Sequence, residues 1–272
     1  MPKPRIMIVG AHPDDCEFRC GGVSALWRGR GFDVGFVSLT NGQSGHHEQG
    51  GAVLVQRRMH EAHAAAGLIG AQCFILPLPD GHLEPTLENR LMLIRLIRSY
   101  APDLILTNRP NDYHPDHRYT SQLVQDAAFS LTVPHIAAET TALRRVPVIL
   151  YWWDYFQKPA PFQVDLAIDV DATFDTKIAM LDKHESQMYE WLPWLEGTLD
   201  QVPRDHRKRR AWLKEGYATI HTPSIADCCR AKLIERYGQT RGGNVREAEA
   251  FEMCEYGAKL DAAQLRRLFA DM

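Results

Sequence analysis

The chain has 272 residues, of which 45% are hydrophobic and 24% charged, enough for one large α/β domain with its own core. A formal net charge of −3 argues against a general nucleic-acid binder, which is usually strongly basic. The opening MPKPRIMIVGAH leaves no room for a signal-peptide core, and no apolar run approaches the ~20 residues of a membrane span, so a cytoplasmic protein without a membrane span is expected. Six cysteines without paired or metal-finger spacing read as reduced thiols.

The first half alternates strand-like and helix-like segments. RIMIVGA (5–11) is a short apolar strand, and CGGVSALWRGRG (20–31) is helix-like and stops at Gly31. DVGFVSLT (33–40) is a second strand, followed by a long helical pattern over 51–70. CFILPL (73–78) is a third strand, ended by prolines; in 86–100, Leu87, Leu91, Ile94 and Ile97 share one helical face. DLILT (103–107) is a fourth strand and 117–131 a fourth helix. Beyond residue 145 the pattern loosens: 146–153 and 164–170 read as strands, 171–192 as one helix, 204–220 as a basic helix with a solvated face, and 238–247 as a mobile glycine-rich loop. This order predicts an α/β, Rossmann-like, mostly parallel sheet with helices on both faces and a C-terminal elaboration. We read one domain over 1–272, with a metal-binding core at 1–135 and a part at 146–272 that completes the sheet and the substrate pocket.

In such folds ligands bind outside the carboxyl ends of the strands. The residues that follow the four early strands are Ala11-His12-Pro13-Asp14-Asp15, Thr40 to Gly45, Pro79-Asp80-Gly81, and Asn111 to His117. His12 and Asp15, joined by a third ligand from a distant loop, make a set of two histidines and one carboxylate, the layout of a catalytic zinc site with an open position for water. Asp14 neighbours a ligand and is a candidate general base. His114 and Asp116 offer an extra imidazole near developing charge and a carboxylate to orient a histidine.

AHPDD after the first strand and HPDH after the fourth resemble the signature of the LmbE-like, PIG-L-type N-acetylglucosaminyl deacetylase family. TNGQSG (40–45), RMHEAHAAAGLIG (58–70), LPDGHL (78–83), NRPNDYHPDH (108–117), KHESQ (183–187) and AEAFE (248–252) continue the match, which is weakest over about 190–240. The resemblance implies one zinc ion per chain bound by His12, Asp15 and His117, with Fe2+ or another divalent ion as a substitute. It implies Asp14 as general base, His114 as the imidazole that stabilises the tetrahedral intermediate, Asp116 as the histidine's partner, and Arg58 as a substrate-orienting arginine. The implied activity is removal of an N-acetyl group from an N-acetylglucosamine-type small-molecule conjugate. His184 and Gln187, in KHESQ, are assigned to the substrate pocket, and Cys16 stands where it could perturb the metal.

Other features carry blander readings. His60 and His63, at i, i+3, read as a solvated or substrate-facing surface, and His46-His47 as a polar loop near the site mouth. Trp152, Trp153, Trp191 and Trp194 could form a sugar-stacking wall, but such residues are more often core or interface. Two other functions fit part of the pattern: a non-haem iron enzyme, which the absence of a barrel-type strand pattern disfavours, and a metal- or sugar-binding protein without activity, for which Asp14 and His114 would be unnecessary. A homo-oligomer is compatible with the sequence.

Overall fold

The computed structural model describes residues 3–220, 224–270 and 272. Four strands and four helices alternate: β1 (Arg5–Gly10), α1 (Asp15–Gly29), β2 (Asp33–Thr40), α2 (Gly51–Gly67), β3 (Gln72–Leu78), α3 (Leu87–Tyr100), β4 (Leu104–Thr107) and α4 (Pro115–Ser130). They are followed by β5 (Val148–Trp152), β6 (Leu166–Asp169), α5 (Phe174–Leu181), a π-helical turn (Ser186–Trp191), α6 (Leu192–Leu195), α7 (His206–Ile220), α8 (Ile225–Cys228), α9 (Arg230–Asn244), β7 (Ala248–Met253) and α10 (Ala262–Phe269). One seven-stranded sheet results, in the order β3-β2-β1-β4-β5-β7-β6. Its first five strands are parallel, and β7 runs antiparallel between β5 and β6. This is the expected mostly parallel α/β sheet, and strands from both halves of the chain share it. None of the described helices is long and apolar enough to cross a membrane.

Both faces of the sheet are buried, and the side-chain alternation of the strands divides the core in two. Ile6, Ile8, Leu104 and Leu106 pack under α1 through Cys20, Val23 and Trp27. Met7, Val9 and Ile105 face the other way, against Leu93, Ile94 and Ile97 of α3 and Leu123 and Val124 of α4. Pro77 lies within β3 rather than ending it, which the ladder tolerates because β3 is an edge strand.

The helix α1 begins at Asp15, five residues before the expected start, so the metal-site motif sits at its N-terminus. Farther along α1, the amides of Gly22 and Val23 donate to the two carboxylate oxygens of Glu249 on β7, at 2.9 and 2.8 Å. Lys177 of α5 adds a 2.7 Å ion pair to the same carboxylate, and both side chains are buried. Burial disfavours the ammonium, but the charge of Glu249 outweighs it and holds the Lys177 pKa above its usual range. Thus α1 is pinned from β7, the strand next to the β6 edge of the sheet.

Two expectations for the C-terminal half need correction. Residues 171–192 do not form one helix: a 3-10 turn leads into α5, which ends at Leu181, and the π-helical turn begins at Ser186. The glycine-rich 238–247 stretch is not a loop throughout, because Arg230–Asn244 is helical, with a kink where Gly238 takes φ 81°. A left-handed residue breaks the helical ladder without ending the helix when the residue is glycine.

Candidate active site

The carboxyl ends of β1 to β4 meet at one edge, where the backbone itself joins neighbouring loops: Thr40 donates from both its amide and its hydroxyl to the Ala11 carbonyl, at 2.9 and 2.7 Å. Asp15 is locked here. Its Oδ2 accepts the amides of Ala11 and His12 at 2.8 and 3.0 Å, and Gly10 leaves room for it, since a Cβ at that position would lie 2.5 Å from the Asp15 Cβ. Four side chains from two loops then converge. His117 Nε2 lies 3.2 Å from His12 Nδ1 and 3.6 Å from Asp15 Oδ1, and His12 Nδ1 lies 3.7 Å from Asp15 Oδ2. The rings of His12 and His114 meet edge to face, with centroids 4.7 Å apart.

The partners on the far side of each ring decide which nitrogen faces inward. His12 turns its Nε2 to Asp80 at 3.2 Å and to Asp116 at 3.4 Å, which leaves the Nδ1 lone pair facing Asp15 and His117. His117 turns its Nδ1 to Asp112 at 3.1 Å, which leaves Nε2 facing inward. His114 is the N-cap of α4, and its Nδ1 accepts the Asp116 amide at 3.2 Å, so its ring proton resides on Nε2. With His114 as N-cap, Pro115 at the first helical position and His117 at the third, HPDH is the start of a helix.

This donor set fits a divalent ion. Tetrahedral ligands at about 2.0–2.2 Å from a metal stand about 3.4 Å from one another, and the His12–His117 and His117–Asp15 Oδ1 separations of 3.2 and 3.6 Å lie on either side of that value. Among the described residues, His12, His114 and His117, and also His12, Asp80 and Asp116, stand close enough to hold an ion. The second of these groups lies on the Nε2 side of His12, where Asp116 already accepts the amides of Gly81 and Leu83 at 2.7 and 3.3 Å. Its carboxylates therefore act on His12 from behind. In the first group, a proton on the His114 Nε2 leaves Asp15 the better third donor.

The electrostatics favour a cation. Burial opposes protonation of His12, yet hydrogen bonds to Asp116 and Asp80 and the charge of Asp15 push its pKa up to about 10. Burial works against the charge of Asp15 as well, but His117 and His12 hold its pKa below the ordinary carboxylate value. His114 moves the other way: burial, then the charges of His12 and His117, lower its pKa and keep it neutral.

A cavity of about 440 Å³ opens onto His12, Asp14, Asp15, His114 and His117. Asp14 lines it, with Oδ1 3.0 Å from Arg58 Nη2. Arg58 is 2% exposed, also donates to the Gly42 carbonyl at 3.3 Å, and lies 3.7 Å from Asp80. Gly42 has φ 71°, and a Cβ there would come within 2.8 Å of the guanidinium. Arg58 thus orients Asp14 while bordering the cavity, and the neighbouring Arg57 pairs with Glu61 at 3.2 Å. Gln187 lines the cavity and donates to the Gly45 carbonyl at 2.9 Å. His184 does not reach the cavity: it is fully buried, with Nε2 3.5 Å from Glu17, so its assignment to direct substrate contact is corrected. Cys16 is also turned away, its thiol directed at the carbonyls of Ile8 and Val37.

Asp80 and Asp112 were not singled out from the sequence, although each follows a strand on the same rim. The tryptophans divide. Trp152 is core, Trp153 packs on Phe162, and Trp191 borders the cavity. His60 and His63 are exposed on α2.

Comparison with known proteins gives this geometry a context. A model of the PIG-L family, described as GlcNAc-PI de-N-acetylase, matches residues 7–128. The chain is 28% identical over 204 residues to the diacetylchitobiose deacetylase of Thermococcus kodakarensis, a match over 70% of this chain and 74% of that one. Among solved structures, the 4-carboxy-2-hydroxymuconate hydratase of Pseudomonas putida superposes with a TM-score of 0.73 at 20% identity, over 95% of this chain and 99% of that one. The N,N'-diacetylchitobiose deacetylase of Pyrococcus horikoshii does so with a TM-score of 0.69 at 21% identity, over 93% and 84%.

Proposed function

The chain carries a PIG-L (LmbE-like) family domain, and on that basis we propose that it is a cytoplasmic hydrolase that removes the N-acetyl group from an N-acetylglucosamine-type conjugate, with one zinc ion held by His12, Asp15 and His117. The observation that carries this reading is the inward-facing set of one Nδ1, one Nε2 and one carboxylate, with His117 Nε2 3.2 Å from His12 Nδ1 and 3.6 Å from Asp15 Oδ1, on the lining of a cavity. When bound, zinc lowers the pKa of a coordinated water to about 7 and polarises a carbonyl oxygen.

The chain's own residues supply the rest. Asp14, fixed by Arg58, borders the cavity where it can accept the proton of a water attacking the acetyl carbon. The same carboxyl then returns that proton to the sugar nitrogen as the C–N bond breaks, so that acetate and a free amine result. His114 is a neutral donor: its Nε2–H is available to the carbonyl oxygen as negative charge develops there. Asp116 and Asp80 hold His12, and Asp112 holds His117, so that both lone pairs stay aimed inward.

A second reading is addition of water to the C=C bond of a carboxylate-bearing substrate, the chemistry named for the hydratase relative. Arg19 favours it: the side chain borders the cavity and, among the described residues, has no ion-pair partner, donating instead to the Trp153 carbonyl at 3.1 Å. One experiment separates the two. Metal-loaded protein is given N-acetylglucosamine conjugates and, separately, unsaturated dicarboxylic acids. Acetate release with metal content near one per chain supports deacetylation; loss of substrate ultraviolet absorbance without acetate release, confined to the acids, would replace it with hydration.

A further inference from the structure

One loop cages the arginine that holds Asp14, and that loop is itself held from across the cavity. Residues Gly42 to Gly45 wrap the Arg58 guanidinium: the Gly42 carbonyl accepts from Nη1 at 3.3 Å, and a Cβ on Gly45 would lie 2.9 Å from the same nitrogen. Arg58 in turn fixes Asp14 at 3.0 Å. On one side the loop is fastened by Ser44, whose amide and hydroxyl donate to Asp80 at 3.3 and 3.1 Å. On the other side it is fastened by the π-helical turn Ser186–Trp191, which lines the cavity through Gln187, Met188 and Trp191. Such turns concentrate at functional sites.

Two ties run from the turn to the loop. Gln187 spends both amide hydrogens inside the protein, on the Gly45 carbonyl at 2.9 Å and the Ser186 hydroxyl at 3.1 Å, so it has no donor left for a substrate. Glu190 makes the second tie. It accepts from His46 Nε2 at 2.8 Å and from both terminal nitrogens of Arg57 at 2.7 and 2.6 Å. The His46 side chain is 1% exposed, and its Nδ1 accepts the amides of Glu48 and Gln49 at 3.0 and 3.1 Å. One imidazole therefore closes the end of the loop and grips the turn. Arg57, next in the chain to Arg58, also reaches Glu61 at 3.2 Å, and Glu61 receives the amide and hydroxyl of Ser186 at 2.9 and 2.6 Å. The contacts close a circuit from the turn through α2 and the loop, built largely of charge-assisted bonds. His46, Arg57 and Glu190 are not among the residues that line the cavity.

We propose that Glu190 is a positioning residue of the reaction: through His46 and Arg57 it keeps the loop closed on Arg58, and so keeps Asp14 aimed at the attacking water. The inference rests on the reading of Asp14 as the general base of the proposed hydrolysis. A misplacement of about 1 Å far from the chemistry can cost ~100-fold in rate, whereas a partly exposed ion pair without such a role leaves the rate of the folded protein untouched.

The test uses the intact metal-loaded protein and an N-acetylglucosamine conjugate. Glu190→Gln keeps the size and an acceptor for His46 but removes the charge that orders Arg57. It should lower kcat about tenfold and leave KM within about twofold. His46→Asn severs only the tie to the turn, because the asparagine oxygen can still accept the Glu48 and Gln49 amides. It should cost as much, and the double variant no more than either. In the Asp14→Asn background, Glu190→Gln should have no further effect on the residual rate, because no base is left to aim. Nitrogen NMR of isotope-labelled arginine supplies a readout that needs no turnover. The Arg58 guanidinium, identified by its loss in Arg58→Lys, should give separate Nη signals because its rotation is arrested, and Glu190→Gln should merge them. Merged signals in a protein that releases no acetate would keep the positioning role and remove the deacetylase reading. A raised KM with kcat retained, an equal factor lost in the Asp14→Asn background, or signals that stay separate in Glu190→Gln would overturn the proposal.

Discussion

Replacing Glu249 with glutamine should cost the fold more than any change at the rim, although Glu249 lies at the opposite end of the chain from the metal-binding motif. Its two oxygens receive three donors: Lys177 at 2.7 Å, Gly22 at 2.9 Å and Val23 at 2.8 Å. Glutamine keeps one oxygen and turns an NH2 group toward at least one of those donors. The Lys177 ammonium is then left buried without a counter-charge. Removing one partner of a buried pair costs about 3–5 kcal/mol, and an orphaned amide adds to it. For a chain of this size each kcal/mol moves the midpoint by about 2–4 °C, so a fall of about 6–20 °C is expected. Thermal melts followed by circular dichroism at neutral pH measure it. The double variant Lys177→Met/Glu249→Gln should recover part of the loss, because the uncompensated charge is gone. A Glu249→Gln melt within about 2 °C of the parent protein, or a double variant less stable than the sum of the singles, would refute the reasoning.

Three further outcomes follow from the site. Asp14→Asn should retain metal, read by elemental analysis, and lose about 10²–10⁴-fold in turnover, because asparagine keeps the place beside Arg58 but accepts no proton. His117→Ala should lose the metal, while His114→Ala should keep it and lose rate; equal metal loss in the two would mean that both coordinate. Asp116→Asn should weaken metal affinity about 10–100-fold in chelator competition with little change in the circular dichroism spectrum, since it releases the His12 ring without removing a ligand; an unchanged affinity would show that Asp80 orients His12 alone.

The four early strand–helix units could be read from the sequence because each strand is a continuous apolar run, and each is followed by a short segment carrying acids or histidines. AHPDD and HPDH therefore declare in the sequence their place on one rim. The starts of α1 and α4 were harder to place: Asp14-Asp15 and His114-Pro115 are helix-opening residues, but the apolar periodicity begins later, and periodicity governed the reading. Asp80 and Asp112 were passed over because a carboxylate that supports a ligand from behind has no spacing of its own; its partner lies in another loop. His184 shows the converse. The motif KHESQ placed it near the site, and only the packing of α1 against the later helices reveals that it meets Glu17 instead. The break between α5 and the π-helical turn falls in the polar run DKHESQ (182–187), which carries no glycine or proline to mark an end, so nothing local distinguishes it from a solvated helical turn.

Every side chain proposed to touch the ion or the travelling proton belongs to residues 12–117, inside the stretch that the PIG-L model matches, whereas the cavity wall that carries Gln187 and Trp191 begins at residue 186, well outside it. Reactivity and taste are thus written on separate lengths of one polypeptide that meet across the cavity and also by direct contact, since Gln187 donates to the Gly45 carbonyl and Arg57 holds Glu190. For anyone sorting members of such a family by substrate, the informative comparison is the second segment, read together with the partners that fasten it to the first.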